Sequence, residues 1–143
     1  MAHNTFHVAL YVGDLEAAIA RYEKVLGQPP AKVRHDYAKF EIADPPVILS
    51  LNTGGEPGTV SHLGIRYSST GDVASEMARA KREEVELLEQ KGTTCCYAKA
   101  DKFWVRDADG MPWEMYTLLA DAEAETAADA SLRHFLEQES PQT

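Results

Sequence analysis

A chain of 143 residues, 44% hydrophobic and with a net charge of -9, is long enough to bury a sizeable core, as one domain or as two small fused halves. The acidic balance argues against nucleic acid as a partner, because phosphate binding needs clustered Lys and Arg. No apolar run approaches the roughly 18 residues of a membrane span, and Met1-Ala2-His3-Asn4-Thr5 lacks the basic-then-apolar order of a signal peptide. A soluble cytoplasmic protein with no membrane partner is expected.

Residues 6–12, rich in β-branched and aromatic side chains, predict a strand. Asp14 is a good N-cap for a helix over Leu15–Leu26, where Leu15, Ala18, Ile19, Tyr22 and Leu26 recur at helical spacing before Gly27 and Pro29-Pro30 stop it. Strands over residues 31–35, Tyr37–Ile42 and Val47–Asn52 follow, punctuated by Asp36 and by Asp44-Pro45-Pro46. Gly54-Gly55-Glu56-Pro57-Gly58 then breaks the chain, and the same order restarts. Residues 61–67 predict a strand whose second residue is His62, as His7 is the second of the first strand. Gly71-Asp72 opens a helix with Val73, Met77 and Ala80 on one face, and residues 85–89, 102–106 and 112–118 predict strands. No Gly or Pro marks the helix end near Arg82-Glu83-Glu84.

The expected fold class is therefore α+β, built from two tandem βαβββ modules over about 5–53 and 60–118, within a domain spanning 1–118. Residues 119–143 form a distinct acidic, Ala-rich tail: six acidic residues and one basic give it -5 of the total -9. Ala124, Ala128, Leu132, Phe135 and Leu136 fall near one side of a helix there, which predicts a docked C-terminal helix or a frayed end.

Aligning the modules on their strand order puts His7 and His62 in the same place, near the start of each first strand. Glu114, in the last strand of the second module, lines up with Ile48 or a neighbour in the first, where no carboxylate stands. Between Trp113 and Met115 its charge must be exposed, paired or metal-bound. Two imidazoles and one carboxylate on one face of an octahedral ion leave about three positions open, the arrangement non-haem Fe(II) uses to hold substrate and dioxygen together. Zinc more often fills four positions, and Mg2+ or Ca2+ wants oxygen ligands. Iron fits best, with Mn2+, Co2+ and Ni2+ left open. His3, His35 and His134 have no counterpart in the repeat.

Both cysteines of the chain are adjacent, Cys95 and Cys96. Neighbours make a poor structural disulfide, so free thiols of a reducing cytosol are expected. Successive side chains of a strand point to opposite faces, so two neighbours grip one atom only where the backbone leaves the strand. A loop over residues 93–99, above the metal, follows from that requirement. Two thiolates match the two valences left on a trivalent arsenic that bears one methyl group.

The βαβββ repeat with His7, His62 and Glu114 resembles the vicinal oxygen chelate superfamily, which includes glyoxalase I, extradiol dioxygenases and bleomycin-resistance proteins. Within it, Thr93-Thr94-Cys95-Cys96-Tyr97-Ala98, Asp101-Lys102-Phe103-Trp104-Val105 and Pro112-Trp113-Glu114 are similar to the carbon-arsenic lyases and their cadmium-induced-protein relatives. The likeness runs over about residues 6–120, and the double-cysteine segment is its specific part. It implies two paired modules forming a cupped mixed sheet, usually in a homodimer. It also implies Fe(II) held by His7, His62 and Glu114, with Mn, Co, Ni or Zn possible in the purified protein. Cys95 and Cys96 would bind methylarsonous acid or a related trivalent organoarsenical, and with Glu114 they would form the catalytic set. Dioxygen would then cleave the carbon-arsenic bond, releasing arsenite and an aldehyde. A non-enzymatic cadmium- or metalloid-binding resistance protein of the same fold is the alternative. A glyoxalase-type reaction usually needs a fourth metal ligand, which Val47, Ile48 and Leu49 do not supply. Two departures from the family pattern stand out: Gly92 replaces an often acidic residue before Thr93, and the Gly that usually follows the second helix is missing.

Overall fold

A computed structural model describes residues 4–95 and 98–121, with the backbone alone for 91–95, 98–100, 120 and 121. The element order is β1 (Thr5–Tyr11), α1 (Leu15–Leu26), β2 (Lys32–Arg34), β3 (Tyr37–Ile42), β4 (Val47–Asn52), β5 (Val60–Arg66), α2 (Thr70–Arg82), β6 (Leu88–Cys95), β7 (Ala98–Arg106) and β8 (Pro112–Asp121). This is βαβββ twice, an α+β fold with one eight-stranded mixed sheet in the order β2-β3-β4-β1-β5-β8-β7-β6. Contacts within the chain divide it inside β5, into a unit Thr5–Leu63 and a unit that begins, apart from the N-terminal residues, at Gly64. No helix among the described residues is long and apolar enough to cross a membrane.

In the first unit, α1 starts where Asp14 Oδ1 accepts from Ala17 N at 3.0 Å. It ends at Gly27, whose φ of 73° is the left-handed conformation glycine adopts without strain. The apolar stripe read from the sequence, Leu15, Ala18, Ile19, Tyr22 and Leu26, packs on Ala38, Phe40, Leu49 and Leu51. β1 and β4 pair in parallel, with His7 opposite Ile48 and Ala9 opposite Ser50. The two-residue period of a strand then separates two faces. Val8, Leu10, Leu49 and Leu51 face the helix, while His7, Ala9, Ile48 and Ser50 face away from it.

The second unit repeats this logic. Ser69 Oγ caps α2 by accepting from Asp72 N at 3.1 Å, and Val73, Ala80 and Phe103 form a core with Met77, Val105 and Met115 packed against it. The ladders pair Gln90 with Lys102, Lys102 with Tyr116 and Trp104 with Glu114. These five side chains therefore share the sheet face opposite α2, and all five are buried.

Three expectations shift. The strand after α2 begins at Leu88 rather than near residue 85, because Glu84 closes the helix at φ 59° with its own N–H donating to Lys81 O and that of Val85 to Ala80 O. That pair of bonds is a Schellman motif, which uses up the residues expected to open the strand. The loop expected over 93–99 is also absent at both ends: Thr93, Thr94 and Cys95 pair with Ala100, Lys99 and Ala98 as an antiparallel ladder. Hydrogen bonding across that ladder satisfies backbone groups that a loop would leave to solvent. Gly92 lies where β6 carries one extra residue between Gln90 and Thr93, a bulge that a glycine accommodates readily. β8 runs to Asp121, past the expected end at residue 118, and the rest of the predicted tail helix lies outside the described residues.

Candidate metal centre

His7 enters from the middle of β1 and is 7% exposed; His62 enters from the middle of β5 and is 6% exposed. Their ring centroids are 5.5 Å apart with planes inclined at 54°. Buried imidazoles need polar partners, and each ring has one on a serine hydroxyl. His62 Nδ1 lies 3.0 Å from Ser61 Oγ; when Nδ1–H donates there, the lone pair falls on Nε2. His7 Nε2 lies 2.9 Å from Ser50 Oγ, which also meets Tyr37 Oη at 3.3 Å.

Glu114 sits in β8, with Lys102 Nζ donating to its Oε2 at 2.7 Å. The two side chains are only 8% and 3% exposed. Lys102 Nζ also lies 5.8 Å from the centre of the Trp104 ring, whose own Nε1–H donates to Gln90 Oε1 at 3.3 Å. The carboxylate read from the sequence as needing exposure, a partner or a metal thus has a buried ammonium as partner.

His7, His62 and Glu114 can each offer one ligand atom so that all three lie within 4.8 Å of one another, the one such group of His, Cys, Asp and Glu among the described residues. Two imidazole nitrogens and one carboxylate oxygen at that spacing suit a divalent transition ion with positions left open. Cys95 closes β6, and its side chain is not among those described; Cys96 lies outside the described residues. Of the candidate residues, then, His7, His62 and Glu114 form a group that could hold a metal ion.

The repeat alignment needs one correction. Val12 N, five residues after His7, donates to Asn52 O at 2.8 Å, and Tyr67 N, five after His62, donates to Tyr116 O at 2.7 Å. Asn52 therefore corresponds to Tyr116, and Ser50, not Ile48, corresponds to Glu114. The fourth position is a buried hydroxyl rather than an aliphatic side chain. The misplacement came from aligning the modules on strand order, which leaves open the hydrogen-bond register that fixes the match. Ser50 and Lys102 were thus both missed as site residues. The alternation Lys102-x-Trp104 facing Glu114-x-Tyr116 was the signal that could have found the lysine.

Residues 5–115 match the family described as the Glyoxalase/Bleomycin resistance protein/Dioxygenase superfamily. The chain is 44% identical over 126 residues to a protein named trivalent organoarsenical cleaving enzyme from Thermomonospora curvata, covering 87% of this chain and 83% of that one. It is also 44% identical over 117 residues to the cadmium-induced protein CadI of Mycobacterium tuberculosis, covering 81% and 77%. An extradiol ring-cleaving dioxygenase of B. fuscum shares the fold with a TM-score of 0.62 at 19% identity, covering 92% of this chain and 36% of that one. The chain thus spans about a third of that structure's length.

Proposed function

The chain belongs to the glyoxalase/bleomycin resistance protein/dioxygenase superfamily, and we propose that it is a metal-dependent enzyme that cleaves the carbon-arsenic bond of trivalent organoarsenicals with dioxygen. The observation that carries this reading is the buried group of His7, His62 and Glu114, whose ligand atoms lie within 4.8 Å of one another. The reaction class is supported by relatives at 37–44% identity that are named organoarsenical cleaving enzymes.

Fe(II) is the metal we propose, held by His7, His62 and Glu114; it would supply open positions and redox capacity toward dioxygen. The chain's own residues do the rest. Ser61 fixes the His62 ring through Nδ1 and Ser50 holds His7 through Nε2, so both imidazoles meet the ion in set orientations. Cys95 and Cys96 take the arsenic: two thiols replace two hydroxyls of methylarsonous acid with loss of two waters, leaving the carbon as the remaining substituent. Overall, CH3As(OH)2 and O2 give As(OH)3 and formaldehyde, which balances with no other oxidant or reductant. The same reading carries a cytoplasmic homodimer, with residues 1–118 as the catalytic domain and 119–143 as an acidic appendage.

A second reading is favoured by the relatives named cadmium-induced protein: the two thiols sequester Cd2+ or a trivalent metalloid and nothing turns over. Anaerobic loading with Fe(II), addition of methylarsonous acid and then admission of oxygen separate the two. Arsenite should form only when iron and oxygen are both present, and Glu114→Ala should end it while sparing stoichiometric arsenical binding. Unchanged methylarsenical bound in proportion to protein under all conditions would overturn the lyase and favour sequestration.

A further inference from the structure

Lys102 is the most deeply buried charged side chain described, 3% exposed, and it lies on β7 with its ammonium on a carboxylate proposed to bind a metal. Its placement follows from register. Trp104 stands directly opposite Glu114 and Lys102 opposite Tyr116, so Lys102 reaches diagonally along one sheet face to Oε2 at 2.7 Å. Lysine is seldom buried, since its stem normally lets the ammonium reach water. Here the Trp104 ring, 5.8 Å from Nζ, gives the ammonium an aromatic face in place of water.

We propose that Lys102 is an internal counter-cation that holds the place of the metal at Glu114 and competes with it, so that the site is preformed without metal and binds the ion less tightly than its ligands alone would. The inference rests on the reading of Glu114 as a metal ligand. A buried carboxylate needs positive charge nearby or it protonates. With the metal absent, Lys102 Nζ supplies that charge, 2.7 Å from Glu114 Oε2 with both side chains buried. A divalent ion arriving at the same carboxylate meets an ammonium already bonded to one of its oxygens. Two like charges a few ångströms apart in a site shielded from water repel strongly.

A lysine that merely orients Glu114 by a hydrogen bond would act in the opposite direction, since losing support behind a metal ligand weakens metal binding. The sign of the effect therefore decides. Lys102→Gln keeps a hydrogen-bond donor and removes the charge; Lys102→Arg keeps the charge. Mn(II), used as an oxygen-stable probe, is titrated into metal-free full-length protein by calorimetry at pH 8, with the melting temperature followed with and without Mn(II). Lys102→Gln should bind Mn(II) about tenfold or more tightly than the wild type. It should also melt lower without metal and gain more on adding it, while Lys102→Arg stays within about threefold of the wild type. Lys102→Gln binding Mn(II) equally or more weakly, while Glu114→Gln abolishes binding, overturns the competition and leaves Lys102 a positioning residue only. Equal binding by wild type and Glu114→Gln instead overturns the metal role of Glu114 itself, and this proposal with it.

Discussion

Gly64 offers a sharp test of how Glu114 is positioned. It lies in β5 two residues after His62, on the same side of the strand, and a Cβ built on it would stand 2.5 Å from Glu114 O and 3.3 Å from Glu114 Cβ. Ordinary contact begins near 3.4 Å, so Gly64→Ala forces a separation of roughly 0.9 Å at a backbone oxygen. That oxygen cannot swing aside as a flexible side chain would, because β8 is tied to β7 on both sides of the Trp104–Glu114 pair. The cost is that of overpacking, about 1–3 kcal/mol. Glu114 must move with its backbone, and a displacement several times the ~0.2 Å tolerance of a ligand distance should weaken metal binding by at least about tenfold. Urea unfolding of the metal-free variant reads the first effect and calorimetric titration with Mn(II) the second. A variant with the wild-type urea midpoint and the wild-type Mn(II) affinity would refute the close approach of Gly64 to β8.

Glu84 is exposed and holds φ 59° at the end of α2, a conformation that costs a residue with a Cβ about 1–2 kcal/mol. Glu84→Gly returns that cost minus the ~0.4–1 kcal/mol of extra unfolded-chain freedom, so stability should rise by about 0.5–1 kcal/mol in urea unfolding while Glu84→Ala stays near the wild type. Ser50→Ala strips a partner from His7 Nε2 and from Tyr37 Oη in one step; it should destabilise by about 1–3 kcal/mol, and a wild-type urea midpoint would contradict both contacts. The Tyr67 phenol is pushed above its ordinary value by burial first and then by the Glu76 carboxylate. Its folded value lies above its unfolded one, so its contribution is complete below about pH 10 and is lost as pH rises through the folded value. Urea midpoints measured from pH 9 to 11 should therefore fall more steeply for the wild type than for Tyr67→Phe.

Much of this was legible in the chain. α1 announced itself through Asp14, a five-residue apolar stripe and Gly27, and each was found in its expected role. The repeat was readable because both first strands carry a histidine in their second predicted position, and burial of His7 and His62 is what a two-residue period then gives. What failed to show were features set by register rather than by residue type. Glu84 takes a left-handed conformation usually marked by glycine, so nothing in the sequence signalled the helix end. Ser50 corresponds to Glu114 only once the bonds to Asn52 and Tyr116 are known. Lys102 stood out only as a member of the Asp101–Val105 motif, with no role of its own, because a lysine in a strand is ordinarily a solvated one.

The side of each module that faces its helix is apolar, whereas the opposite face buries His7 and Ser50 in one and Gln90, Lys102 and Glu114 in the other. Polar burial of this kind is costly even when satisfied, and buried ion pairs are often no better for stability than apolar side chains of similar volume. Replacing the pair by Lys102→Met with Glu114→Leu should accordingly leave stability unchanged or raise it by about 1–4 kcal/mol. Glu114→Leu alone, which strands the ammonium beside Trp104, should cost about 3–5 kcal/mol. The double variant should fold and bind no Mn(II). If it instead proves less stable than either single variant, the pair is a structural device in its own right. If it matches or exceeds the wild type, the sequence keeps Lys102 and Glu114 for what they do to an ion, against the preference of the fold.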